Sequence, residues 1–354
     1  MLAATFNARS NSLNAIRLAL AAAVIGSHSW LIGGYGPEPT IGNVRLGTWG
    51  VYGFFAISGY LITRSRQSGR PTVDFYRARF LRIYPGFLVC LVVVAFAFAP
   101  ASALIDPSGS FSIPSAFTYV FRNLTLSPPG LGQYGIDGTL TTVPFSGVWN
   151  GPLWTLFYEV LCYVLIGVLA SILRGRSLTI AVSVLFVLGS TVSFLTYSRA
   201  IPAPDLLIGS LPLVVAFLAG SLLFLLQAYI PTGPVASILT LAALIWITAS
   251  GYGAVFAALP FALVLLTLST LLPLKRVGSK FDISYGMYIY GCPVQQCLVL
   301  MFPNSALPVW AFVVLSLAAT IPFAVLSCVA VEKPALTLKR AYAEAQSAPD
   351  RLSR

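Results

Sequence analysis

Leu13-Asn14-Ala15-Ile16-Arg17-Leu18-Ala19-Leu20-Ala21-Ala22-Ala23-Val24-Ile25-Gly26-Ser27-His28-Ser29-Trp30-Leu31-Ile32 is a run of 20 residues that decides the fold class. Its length as a helix matches the roughly 30 Å hydrocarbon core of a bilayer. Two ionisable side chains, Arg17 and His28, interrupt it. Such groups are costly inside a membrane, so each marks a candidate site by default.

The rest of the chain repeats the pattern. Of 354 residues, 57% are hydrophobic and 9% charged, while the formal net charge is +11. Soluble proteins carry about 25% charged residues, and 21 basic plus 10 acidic side chains cannot cover a soluble globule of this length. A solvated coil is excluded by the 23 Phe, 16 Tyr and 6 Trp. With one histidine, a Cys/His zinc module is excluded as well. The expected class is an all-α polytopic membrane protein. Runs long enough to span number about ten, at roughly 12–32, 47–63, 84–101, 152–172, 177–196, 206–229, 234–250, 253–273, 283–302 and 307–331.

Orientation follows from Lys and Arg, which concentrate on the cytoplasmic side. Placing the N-terminus inside puts 18 of the 21 basic residues there, and only Arg45, Arg122 and Arg199 outside. Both termini are then cytoplasmic. The same split argues against a signal peptide cleaved after Ala21-Ala22-Ala23, which would remove one span and invert the others. Residues 1–335 read as one membrane domain and 336–354 as a polar cytoplasmic tail, expected to be disordered. A basic cytoplasmic loop is expected at about 64–83. The outside loop at about 102–151 shows no periodic apolar face and reads as a partly ordered lid or acceptor site. Its Asn123-Leu124-Thr125 sequon carries little weight. The five cysteines all fall in expected spans, odd in number and irregular in spacing, and read as small buried apolar side chains rather than disulfides or metal ligands.

Three constellations carry polar chemistry. Arg17 and His28 lie 11 residues apart on the first helix, about three turns, so they share a face some 16 Å apart along the axis. Glu159, in Trp154-Thr155-Leu156-Phe157-Tyr158-Glu159, falls at a comparable depth to His28 and could meet it. A neutral imidazole accepts a hydroxyl proton while a carboxylate orients the ring. The alternative is structural, with His28 as hydrogen-bonded glue between helices and Glu159 paired to an arginine. The second constellation holds Arg77, Arg79 and Arg82 within Asp74 to Pro85. Guanidinium forks grip phosphates, although basic segments at a membrane surface also arise from topology and anionic lipid alone. The third runs from Gly50 to Ile62, where Gly50, Gly53, Ala56 and Gly59 recur at every third position and suit close packing of the first two helices.

These motifs, in this order, resemble the integral-membrane acyltransferase family three, whose members O-acylate cell-surface carbohydrates. Arg17 and His28 look like the family's first-helix pair, and Gly50 to Ile62 like its G-V-x-x-F-F-x-x-S-G segment. Arg79-Phe80-Leu81-Arg82-Ile83-Tyr84-Pro85 looks like R-x-x-R-I-x-P, and Trp154 to Glu159 like W-[ST]-L-x-x-E. Ser284-Tyr285-Gly286-Met287-Tyr288-Ile289 and Val331-Glu332-Lys333-Pro334 look like S-Y-x-x-Y-L and V-E-K-P. The resemblance spans Leu13 to Pro334. It implies ten helices around a cavity, acyl-CoA (acetyl-CoA the expected donor substrate) from the cytoplasm, and a carbohydrate acceptor outside, in the inner membrane of the cell. It assigns catalysis to His28 with Glu159 in support, and donor positioning to Arg17, Arg79 and Arg82, with Arg77 a third phosphate candidate. No resident cofactor, metal or nucleic acid is expected.

Two departures stand out. Gly291 occupies a position where many members carry histidine. The chain also ends soon after Pro334, without the extracytoplasmic domain fused to some relatives; where transfer needs such a domain, a separate partner protein has to supply it. The competing class is a non-enzymatic flippase or transporter of a glycan or lipid precursor, which should show matched halves that are not evident here. A membrane glycosyltransferase would need a cluster of outside carboxylates, whereas Glu38, Asp106, Asp137 and Asp205 are scattered.

Overall fold

The computed structural model describes residues 1–7, 10–69, 71–106, 108–303 and 305–337. Arg9, Arg70, Lys339, Arg340, Arg351 and Arg354 of the basic tally, and the tail beyond residue 337, lie outside the described residues.

Ten helices of 14 residues or more stand among the described residues, each overlapping one of the ten expected runs. They are α1 (Leu13–Ile32), α2 (Leu46–Arg66), α3 (Thr72–Val93), α4 (Trp154–Ile172), α5 (Arg176–Tyr197), α6 (Asp205–Leu225), α7 (Pro234–Ala249), α8 (Ala258–Leu271), α9 (Ser284–Met301) and α10 (Val309–Ser327). Six helical stretches, containing α1, α3, α4, α5, α6 and α10, are long and apolar enough to cross a membrane. The short helices α7 and α8 are apolar but brief. The remaining two, α2 and α9, are long yet less apolar, and burial explains why. In α9, 15 of 18 residues are buried against other helices, so protein rather than lipid solvates its Ser, Tyr and Gln side chains. By contrast, α7 buries only Thr248 and stands at the periphery.

Helix α2 is the axle of the bundle, packing on α1, α4, α6 and α8. The small-residue series does more than join the first two helices. Gly50 and Gly53 face Leu20 and Val24 of α1, but a Cβ on Gly59 would overlap the Phe217 carbonyl of α6, and one on Gly220 would overlap the Ala56 carbonyl. Backbones touch there, so Gly59→Val is expected to cost about 3 kcal/mol or more. The variant should be lost from the monodisperse peak in detergent; normal yield and melting temperature would refute the close crossing.

Two expected loops are more structured than composition suggested. The basic segment is helical from Thr72, because nothing between Thr72 and Tyr84 breaks a helix, and Asp74 sits in its first turn. Arg77, Arg79 and Arg82 therefore lie on α3, which runs through a π-helical turn at Val94–Phe98 to Ile105. The 102–151 segment contains a helix at Ile113–Asn123, capped by Ser112 Oγ accepting from Ser115 N at 3.3 Å. It does have an apolar side, with Ala116 and Tyr119 buried while Ile113, Phe117 and Phe121 are exposed. Asn123 of the sequon is buried, and its amide donates to Tyr119 O and Gln133 O. The all-α expectation meets one small exception, a hairpin pairing Thr40–Ile41 with Val44–Arg45. All five cysteines are free, four of them buried.

Candidate active site

Five helices carry the polar motif residues to two adjoining chambers within the bundle. At the basic end, a chamber is lined by Arg17 of α1, Ser58 of α2, Arg79 and Arg82 of α3, Glu159 of α4 and Tyr285 of α9. At the other end, a chamber of about 420 Å³ is lined by His28, Glu38, Arg45 and Trp154. The two chambers share Val51, Thr155 and Tyr288. The Trp154-to-Glu159 motif straddles this boundary. Trp154 lies in the histidine chamber, Thr155 on the partition and Glu159 in the arginine chamber. A second recess beside His28 is walled by Tyr134, Phe145 and Val148. Gln296 of α9 pins that wall by donating to Phe145 O and Val148 O at 2.8 and 2.7 Å.

Glu159 does not meet His28. It accepts from Ser58 Oγ at 3.0 Å and from the Tyr163 hydroxyl, one turn along its own helix. The carboxylate at His28 is Glu38, whose Oε2 lies 3.1 Å from Nδ1. The chain turns back through Gly33, Gly34 and Gly36, and the hairpin then fixes the return into α2. Glu38 is nearly enclosed, its side chain 4% exposed against 26% for His28. Burial alone would favour its neutral form. The hydrogen bond and charge of His28, the Ser27 hydroxyl at 2.6 Å and the Arg45 guanidinium outweigh that and hold its pKa down to about 2. An ionised carboxylate only accepts hydrogen bonds. Nδ1 therefore carries a proton, and when the ring is neutral Nε2 holds the lone pair, the arrangement that suits a base. Sequence reasoning had placed Glu38 among scattered outside acids; the glycine-rich reversal one turn past His28 was the available signal.

The arginines also have partners that the motif does not announce. One Asp282 oxygen accepts from Arg17 at 2.9 Å and from Arg82 at 2.8 Å, while its other oxygen accepts from the Ser284 hydroxyl at 2.6 Å. Arg82 also lies 3.7 Å from Glu332, which accepts from Ser327. Burial disfavours the Asp282 charge, but Arg17 and Arg82 prevail and hold its pKa near 2. Arg77 lines neither chamber. The sign of this linkage is fixed: with the folded pKa depressed, the stabilisation is complete above pH 3.8 and lost as pH falls through about 2. Asp282→Asn is expected to lower the melting temperature at neutral pH by several degrees, since two partly buried guanidinium groups lose their shared carboxylate. Scanning fluorimetry across pH checks this, and an unchanged melting temperature would count against the network.

Fold and site together define an integral-membrane protein with a histidine–carboxylate pair in one of two adjoining chambers. Comparison with known proteins gives the class its family. The chain belongs to acyltransferase family three, whose model, described as an acyltransferase domain, matches residues 10–329. It is 30% identical to an O-acetyl transferase of Shigella phage Sf6 over 302 residues, covering 82% of this chain and 86% of that one. It is 25% identical to Nodulation protein 10 of Rhizobium leguminosarum bv. viciae over 362 residues, covering 93% and 94%. No solved structure matches it. The protein is an acyltransferase and a multi-pass membrane protein.

Proposed function

We propose that the protein is an O-acyltransferase of the inner membrane, moving an acetyl group from cytoplasmic acetyl-CoA to a hydroxyl of an extracytoplasmic carbohydrate. The observation that carries this reading is the pair of adjoining chambers, with a base poised in one and arginines in the other. The basic end faces the cytoplasm on the positive-inside bias. Arg79 and Arg82 there suit the donor's phosphates, with Arg17 supporting. The chamber at the basic end is small, about 90 Å³, so the thin acyl-pantetheine arm rather than the nucleotide enters it. In the histidine chamber the acceptor hydroxyl gives its proton to His28 Nε2 as its oxygen attacks the thioester carbon. Glu38 holds the ring and stabilises the imidazolium formed. The C–S bond then breaks and CoA leaves as thiol. Glu159, bonded to Ser58 and Tyr163, shapes the arginine chamber. The name of the phage relative favours acetyl as the group carried.

Two measurements test the reading. Surface glycan purified from a deletion strain should lack alkali-labile acetyl that the complemented strain restores; equal acetyl in both would refute it. Arg79→Ala should lose most of the thermal stabilisation that added CoA gives the purified protein. Full stabilisation in the variant would remove Arg79 from the donor site.

A further inference from the structure

The partition between the chambers is made of hydroxyl groups. Among the described residues, Val51, Thr155 and Tyr288 alone line both chambers, and only the last two bring polar side-chain atoms. Thr155 Oγ1 lies 2.6 Å from the Tyr288 hydroxyl, and each lies near one carbonyl, Pro152 O, at 3.0 and 3.1 Å respectively. Three close oxygen contacts are thus served by two hydroxyl protons. Pro152 O also accepts from the Trp154 N–H, so both hydroxyls can turn to other acceptors without orphaning the carbonyl. Both side chains are buried, in a setting where a hydrogen bond to developing charge is worth far more than in water.

We infer that the Tyr288 hydroxyl, backed by Thr155, is a catalytic hydrogen-bond donor to the oxyanion formed during acyl transfer. The inference rests on the functional reading above, because it needs the thioester carbonyl at the partition. That position is where a donor arm from the arginine chamber would meet a nucleophile activated by His28, since the two chambers adjoin there. As the acceptor oxygen bonds to the carbonyl carbon, the C=O π pair moves onto oxygen and His28 takes the acceptor proton. Tyr288 then donates to the oxyanion while Thr155 donates to the Tyr288 oxygen, and Pro152 O keeps the Trp154 N–H. Collapse restores C=O, expels the CoA sulfur, and the imidazolium proton ends on the thiol.

The test uses purified full-length protein, acetyl-CoA as donor, and either water or a panel of methyl glycosides as acceptor, following thiol release. Tyr288→Phe keeps the ring and its packing against Phe54 but removes the proton. It should lower kcat about 10²-fold, with the acetyl-CoA KM within about threefold and the melting temperature close to wild type. Thr155→Val should lower kcat about tenfold, and Thr155→Ser should restore it. Full kcat in Tyr288→Phe while His28→Ala is inactive would overturn this inference and leave the functional reading standing. A rise in KM at unchanged kcat would also overturn it, reducing the pair to a partition wall. Should Tyr288→Phe fail to fold, kcat in Thr155→Val equal to that in Thr155→Ser would overturn it instead. No wild-type thiol release with any acceptor would overturn the functional reading, and this inference with it.

Discussion

Replacing His28 by alanine is expected to lower acetyl transfer about 10³-fold, while expression level, oligomeric profile and acetyl-CoA binding stay near wild type. General-base catalysis accounts for roughly 10²–10⁴ in rate, and no second imidazole exists in the chain to substitute for His28. Stability should change little, because the ring is 26% exposed to the chamber and only its Nδ1 edge is bonded. The measurement is steady-state thiol release from acetyl-CoA by purified protein, read beside a melting curve. Transfer within a few-fold of wild type would remove His28 from the chemistry and leave it a structural hydrogen-bond donor.

Glu38→Gln carries the second large expectation, a fall in kcat of about 10²–10⁴ with little change in the acetyl-CoA KM. The substitution keeps the shape but exchanges an acceptor for a group that can also donate. The amide can donate to Nδ1, which moves the ring proton to Nε2 and removes the lone pair that receives the hydroxyl proton. Glu38→Asp keeps the charge and should recover part of the rate. The pH dependence separates this from simple loss of packing. Because the folded pKa of Glu38 is depressed from 4.5 to about 2, its contribution to stability is complete above pH 4.5 and lost as pH falls toward 2. Nothing from this carboxyl itself titrates between pH 5 and 9, so a pH dependence of the Glu38→Gln defect within that range reports the ring it faces. A defect that vanished at the alkaline end of that range would point to another group.

Much of this architecture is legible in the sequence, and the exceptions have physical causes. Apolar runs of spanning length fix the helices, since lipid demands continuous apolarity from any helix it touches. The same rule weakens for α2 and α9, which other helices surround, so their positions were readable only as short or polar segments. Arg17, Arg79, Arg82 and Glu159 share one chamber. What the motifs could not supply was pairing. A one-dimensional depth argument put Glu159 opposite His28, but depth says nothing of which face of α4 meets α1. Glu38 reaches the imidazole through a chain reversal that no helical periodicity encodes. Asp282 and Glu332 were invisible for a related reason, since positive-inside counting registers cations and ignores the carboxylates that neutralise them inside the fold. The net charge of +11 therefore overstates the positive field at the arginine chamber, where Arg17 and Arg82 already share Asp282.

The central claim is that an acetyl group enters from one side of the membrane and is bonded to a hydroxyl reached from the other. Sided transfer in vesicles tests it most directly. Right-side-out vesicles from cells bearing the native glycan would be loaded internally with acetyl-CoA labelled in the acetyl group, or given the same donor outside. The account predicts alkali-labile label on the outward glycan only from the internal donor, and none with His28→Ala in either case. Label incorporated equally from external acetyl-CoA, or undiminished by His28→Ala, would contradict it.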